Sequence, residues 1–261
     1  MNAVSKGDRN RQRTREKLAQ MRALEQRRRR RRRWLAAIGG AVVVIGAAAG
    51  ITAAVAGGGP AAAGGTPQLR LSPLSTLGTL RPAPPAGPAG PEGVPVPGAP
   101  QLAGTSTAAT GKDVNGISCQ TSEQTVFHIH AHLTVFVNGS ARKIPAAIGI
   151  PGPVAQNTAQ GSFIGSGTCF YWLHTHAADG IIHIESPVQR TFTLGDFFDE
   201  WGQPLGPGQV GPARGTVTAI YNGQHYRGDP RNIPLKAHAQ IQLEVGKPLV
   251  APESIKFPGG L

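Results

Sequence analysis

Apolar and polar residues alternate one by one through much of the C-terminal part of this chain, the period of a β-strand with one buried face. Over residues 125–137 the alternation puts Phe127, Ile129, Ala131, Leu133, Val135 and Val137 on one face. His128, His130, His132, Thr134 and Phe136 fall on the other. Asn138-Gly139 follows, a pair suited to the positive φ angles of a two-residue hairpin turn. A strand over 216–221 leads into a second such pair, Asn222-Gly223. Residues 238–245 alternate His, Gln, Gln and Glu against Ala, Ile, Leu and Val, which predicts a half-exposed strand. Val-Asn-Gly ahead of Ile144-Pro145 and Tyr-Asn-Gly ahead of Ile233-Pro234 hint at a duplicated hairpin.

The period changes to that of a helix once. Leu194, Phe197, Phe198 and Trp201 recur at i, i+3, i+4 and i+7, Thr193 and Asp196 have capping-box spacing, and Gly202 supplies a stop. The aromatic stripe predicts a helix packed on the core.

A hairpin is expected over 169–185. Phe170, Trp172, His174 and His176 alternate onto one face, and Asp179-Gly180 suits a type I′ turn before residues 181–185. A two-residue loop there pairs His176 with His183 and His174 with Glu185. A change of register by two residues alters the partners and leaves the same side chains on the same face. Asp179 is expected to shape the turn.

Ahead of these strands the pattern loses its alternation. Residues 34–56 are 23 residues without a charge, long enough to cross a bilayer as one helix. They follow a tail, residues 1–33, with fourteen Lys or Arg against Asp8, Glu16 and Glu25. By the positive-inside rule this keeps the N-terminus cytoplasmic and places the rest outside. Ala54-Val-Ala56 also fits a cleavage site, in which case the product after Ala56 is secreted. Arg31-Arg32-Arg33-Trp34-Leu35 loosely resembles a twin-arginine export signal. Residues 57–112 are dominated by Gly, Ala, Pro, Ser and Thr, which predicts a disordered linker acting as a stalk. The expected whole is mainly β: a small antiparallel β-sandwich or barrel-like extracytoplasmic domain over 113–261 with one short helix, behind a single transmembrane helix and the linker.

Charge then removes one class of function. The net charge of +12 resides almost wholly in the tail, which alone carries +11, while residues 113–261 hold nine Lys or Arg and ten Asp or Glu. The basic tail therefore reads as a topology signal with contact to anionic lipid, and no nucleic-acid partner is expected. Protein partners are not specified by the sequence. The two cysteines, Cys119 and Cys169, lie upstream of the two histidine runs. Outside the cytoplasm they are expected to form a disulfide.

The histidines carry the chemistry. Six of eight fall in two runs, His128, His130 and His132 in the first and His174, His176 and His183 in the second. Imidazoles crowded on one sheet face suit a transition metal, since the same cluster without an ion repels once protonated. The expected ligands are His174, His176 and His183 with members of the first run. Glu185 is a ligand, an orienting carboxylate or a general base. His225 and His238 stand alone and are expected to be structural. Met1 and Met21, the two methionines, precede the apolar span, so thioether capture of Cu(I) is not expected and Cu(II) or Zn(II) on imidazoles is.

His174-Thr-His176-Ala-Ala-Asp179-Gly180 resembles the opening HxH of amidohydrolase barrels and part of the metallo-β-lactamase HxHxDH, though Gly180 stands where the latter has histidine. The HxH-plus-His arrangement of His174, His176 and His183 also resembles that of α-type carbonic anhydrases. None of these fixes a family. The expected function is membrane-anchored, extracytoplasmic metal binding for storage, delivery or sensing. The alternatives are a metal-dependent hydrolase, lyase or oxidoreductase with Glu185 as base, and a stalked interaction module without metal.

Overall fold

An eleven-residue strand, Phe127–Val137, organises the protein because it is paired along both edges. On one edge its N-terminal half pairs antiparallel with Ile181–Ser186 and its C-terminal end with Ser140–Arg142. On the other edge Ala239–Val245 runs beside it. The eight-stranded sheet has the order Leu71–Ser72, Gln224–Tyr226, Val217–Tyr221, Ala239–Val245, Phe127–Val137, Ile181–Ser186, Leu173–His174, with Ser140–Arg142 beside Phe127–Val137. This computed structural model describes residues 69–105 and 110–261, within a compact unit spanning 64–261. The tail 1–33 and the span expected over 34–56 lie outside the described residues. Among those described, no helix is long and apolar enough to cross a membrane.

Local signals act as expected. Asn138 and Gly139 have φ of 50° and 74°, Asn222 and Gly223 of 48° and 74°, and each pair closes a two-residue hairpin. The helix spans Leu194–Trp201, with a complete Thr193–Asp196 capping box and Gly202 in the left-handed conformation at its end. Phe197, Phe198 and Trp201 are fully buried and join Leu133, Val135, Ile182, Ile184 and Leu243 in one core. Burial of each such aromatic contributes roughly 2–3 kcal/mol, which fixes the helix to the apolar face of the sheet.

Four expectations change. Among the described residues the fold is mainly β with one α-helix and several sheets, no sheet closes into a barrel, and the Ala239–Val245 pairing is parallel rather than antiparallel. Alternation records which face is buried and carries no strand direction, so the helix-bearing crossover between these strands was not visible in it.

The strand 239–245, expected to be half-exposed, is almost wholly buried. Its polar residues bond a C-terminal segment laid across them. Gln240 Nε2 donates to the Ile255 carbonyl, Gln242 Oε1 accepts from Glu253 N–H at 2.8 Å, and Glu244 Oε1 accepts from Val250 N–H at 3.1 Å.

The segment expected to be a disordered linker is ordered over 69–105: Leu71–Ser72 forms the edge strand, residues 83–99 border the polar face beside His132 and Thr134, and Leu102 joins the core of the helix. Arg81 exchanges backbone bonds with Leu249 and Ala251, Leu102 N–H donates to Lys143, and Gly104 accepts from the indole of Trp201. Val94 and Leu102 are buried. Proline lacks a donor, so this strap needs few hydrogen-bond partners, and scattered apolar anchors suffice to hold it.

The 169–185 hairpin keeps its faces and shifts its register by two. Leu173–His174 pairs with Ile184 and His183, so His174 opposes His183 rather than Glu185. Asp179 keeps a negative φ and only Gly180, at 87°, is left-handed, so no type I′ turn forms. The cause is Thr175, which leaves the ladder: its hydroxyl donates to Pro145 O at 2.9 Å and accepts from Ile148 N–H at 3.1 Å. Asp179 nevertheless shapes the turn, its carboxylate accepting from Ile181 N–H.

Candidate metal centre

Strand pairing brings the two histidine runs together. His128 is opposite Glu185, His130 opposite His183, and His183 opposite His174 on its other side. All these side chains project from the polar face of the sheet, beneath the strap and the hairpin formed by Val154–Thr158 and Gly161–Ser166. The disulfide Cys119–Cys169 forms, tying the approach to the first run to the approach to the second.

Hydrogen bonds fix which ring nitrogens are free. His174 Nδ1 donates to the Tyr171 carbonyl at 2.8 Å, and His176 Nδ1 donates to the Ile164 carbonyl at 2.5 Å. A carbonyl only accepts, so both protons sit on Nδ1 and both Nε2 atoms present lone pairs. Those two Nε2 atoms are 3.1 Å apart. Gly149 makes the close packing here possible: with φ of 71°, it has a Cβ position only 2.2 Å from the Leu173 carbonyl.

A second constellation lies beside the first. His128 Nε2 is 3.1 Å from His130 Nε2 and 3.0 Å from Glu185 Oε1. His183 Nδ1 is 3.1 Å from His130 Nε2 and 3.4 Å from Glu185 Oε1. Ligands about 2.0–2.1 Å from a tetrahedral ion stand about 3.3–3.4 Å from one another, close to these spacings. One ligand atom from each of His128, His130, His183 and Glu185 lies within 4.8 Å of the others, as does one from each of His174, His176 and His183.

His132 stands apart from these groups. Its Nε2 donates to the Asp179 carbonyl at 2.9 Å, so it supports the turn beneath Gly180. His225 bonds Thr76, away from the cluster. His238 borders the cluster through its backbone, donating to the His130 carbonyl at 2.7 Å, while its ring stacks on Phe257 and bonds Leu261 and so takes no part in the donor set.

Two further carboxylates, Glu92 and Glu123, join the cluster. Glu92, at the tip of the strap, accepts from His183 Nε2 at 2.6 Å, and its side chain is 5% exposed. It is held there by a turn in which Gly93 N–H donates to Gly90 O. The one available signal was that Glu92 is the sole charged residue between Arg81 and Lys112. Glu123, half exposed, places a carboxylate oxygen 3.4 Å from His176 Nε2.

No known family, curated protein or solved structure matches this chain.

The site's chemistry therefore rests on its own electrostatics. Burial, reinforced by the neighbouring His183 and His128, pushes His130 down to about 3. Burial likewise holds His174 well below the ordinary histidine range and lowers His176, with His183 adding to both. These rings are thus neutral lone-pair donors. His183 goes the other way: burial opposes its charge, yet hydrogen bonds to Glu185 and Glu92 lift it to about 9. Burial alone would raise Glu185, but hydrogen bonds from His128 and His183 hold it below the usual carboxylate range. Phe163 stacks on His176 at 4.8 Å and Phe170 sits edge-on to His174, giving the cluster an apolar wall. Neutral imidazoles and an ionised carboxylate behind such a wall could hold a borderline divalent ion.

Proposed function

We propose that this chain is a membrane-anchored, extracytoplasmic transition-metal-binding protein that takes Cu(II) or Zn(II) for storage, delivery or sensing. One observation carries the reading: the Nε2 atoms of His174 and His176, both deprotonated because their Nδ1 atoms donate to backbone carbonyls, face each other at 3.1 Å. Two lone pairs at hydrogen-bond distance repel, and a cation between them turns the repulsion into coordination. The burial that lowers the neighbouring rings supports the same reading, because an uncharged ring binds a metal without first losing a proton.

The anchor is the apolar span 34–56, and its preceding arginines set the orientation. Storage, delivery or sensing is favoured over hydrolysis, lyase chemistry or oxidation by the state of Glu185. A carboxylate kept ionised by His128 and His183 is a strong ionic ligand and a weak proton acceptor.

The test is elemental analysis of the full-length chain, purified in detergent, exposed to Cu(II) or Zn(II) and desalted. At least one tightly held ion per chain is expected, with a large loss in a His174→Ala, His176→Ala double variant. Metal content no higher than that of the double variant would overturn the proposal.

A further inference from the structure

The cluster has more donors than one ion can use. A four-coordinate ion is satisfied by His128, His130, His183 and Glu185 alone, whose adjacent ligand atoms are 3.0–3.4 Å apart. His174 and His176 then remain, with Nε2 atoms converging at 3.1 Å and the Glu123 carboxylate 3.4 Å from His176. His183 lies within reach of this second group, but its two nitrogens are committed, Nδ1 to the first set and Nε2 to Glu92. The second group must find its fourth ligand elsewhere.

Glu185 supplies it. Its Oε1 contacts His128 and His183, whereas its Oε2 is buried with no hydrogen-bond partner among the described residues. A buried carboxylate oxygen left without a partner is costly. Ligand atoms of Glu185, Glu123 and His174 lie within 4.8 Å of one another, so the carboxylate reaches both groups.

We infer that the cluster is a two-ion centre bridged by Glu185, with one divalent transition ion on His128, His130, His183 and Glu185 and a second on His174, His176, Glu123 and Glu185. The inference rests on the metal-binding reading above and adds its stoichiometry and internal arrangement. Charge agrees with it: Glu92, Glu123 and Glu185 bring three negative charges, which offset most of the four positive charges of two dications. Carboxylate-bridged ions of this kind stand about 3.5–4 Å apart. Each position has one ligand at its edge, His128 in the first at 37% exposed and Glu123 in the second at 39%, so both ions reach solvent on that side while the remaining ligands are buried.

The experiment titrates the full-length chain in detergent with Cu(II), following bound metal by elemental analysis and unpaired spins by electron paramagnetic resonance. Two ions per chain are expected at saturation. The spin count should rise to one equivalent and then fall as the second ion couples to the first. A His128→Ala, His130→Ala variant and a Glu123→Gln, His176→Ala variant should each retain one ion with full, uncoupled spin. Saturation of the wild-type chain at one ion overturns the two-ion centre and leaves single-ion binding intact. No bound ion at all overturns both readings, and loss of all metal from both variants shows one shared site and overturns the bridge.

Discussion

His130 Nε2 and His183 Nδ1 lie 3.1 Å apart across directly paired strands, although 53 residues separate them along the chain. Each ring comes from a different histidine run, so this contact joins the two runs into one cluster. It also separates His130 from its near neighbour His132, whose ring turns to the Asp179 carbonyl.

That separation predicts different outcomes for two similar substitutions. His130→Ala should sharply weaken metal retention. His132→Ala should leave metal content unchanged while costing about 2–4 kcal/mol of stability, through a buried cavity and an unpaired carbonyl. Elemental analysis paired with urea unfolding separates the two, and equal metal loss in both variants would refute the assignment of His132 to the turn.

Glu92 orients His183 through Nε2, leaving Nδ1 for the ion. Removing an orienting carboxylate of this kind typically weakens metal affinity by about 10–100-fold. Glu92→Ala should show that loss in a competition titration against a chelator of known affinity, with an unchanged circular dichroism spectrum. An unaltered affinity would mean the strap covers the site without tuning it.

Burial raises Glu244 to about 7, against opposing hydrogen bonds from Gln242 and Val250. The folded-state value lies above the unfolded one, so the group's contribution to stability is complete below about pH 4.5 and is lost as pH rises through 7. Glu244→Gln keeps an acceptor for both bonds and carries no proton to lose. The variant should therefore gain about 1–3 kcal/mol over wild type at pH 8 and little at pH 4.5. Denaturant unfolding at both pH values checks this, and a pH-independent difference contradicts it.

The Cys119–Cys169 bond closes a loop of 50 residues. Chain entropy puts its contribution at about 4 kcal/mol. Replacing both cysteines with serine should lower the melting temperature by about 5–15 °C for a domain of this size. Because Cys169 lies five residues before His174, metal affinity should fall as well. Thermal unfolding and a metal titration of the same preparation would show whether both effects occur.

Much of this was legible in the chain because the decisive signals were local. Thr193 and Asp196 lie three apart, Asn138-Gly139 and Asn222-Gly223 specify their own turns, and parity puts His128 and His130 on one face of their strand and His174, His176, His183 and Glu185 on one face of their hairpin. That the two faces are one came only with the pairing of the strands. What could not be read depended on distant partners. Thr175 broke the hairpin register through bonds to Pro145 and Ile148, and Gln242 and Glu244 were buried by a segment whose role has no periodic signature. Glu92 lay hidden because its surroundings, rich in Pro, Gly and Ala, resemble chain that cannot fold by itself, whereas here it is folded by what lies beneath it.

The alternation along Phe127–Val137 has a consequence for how this sequence can change. An insertion or deletion of one residue upstream of His132 would rotate His128 and His130 into the packing around the helix and turn Phe127 and Ile129 outward. Length variation in this strand is therefore tolerable only in steps of two, and variants of the chain should differ there by even numbers of residues or by none.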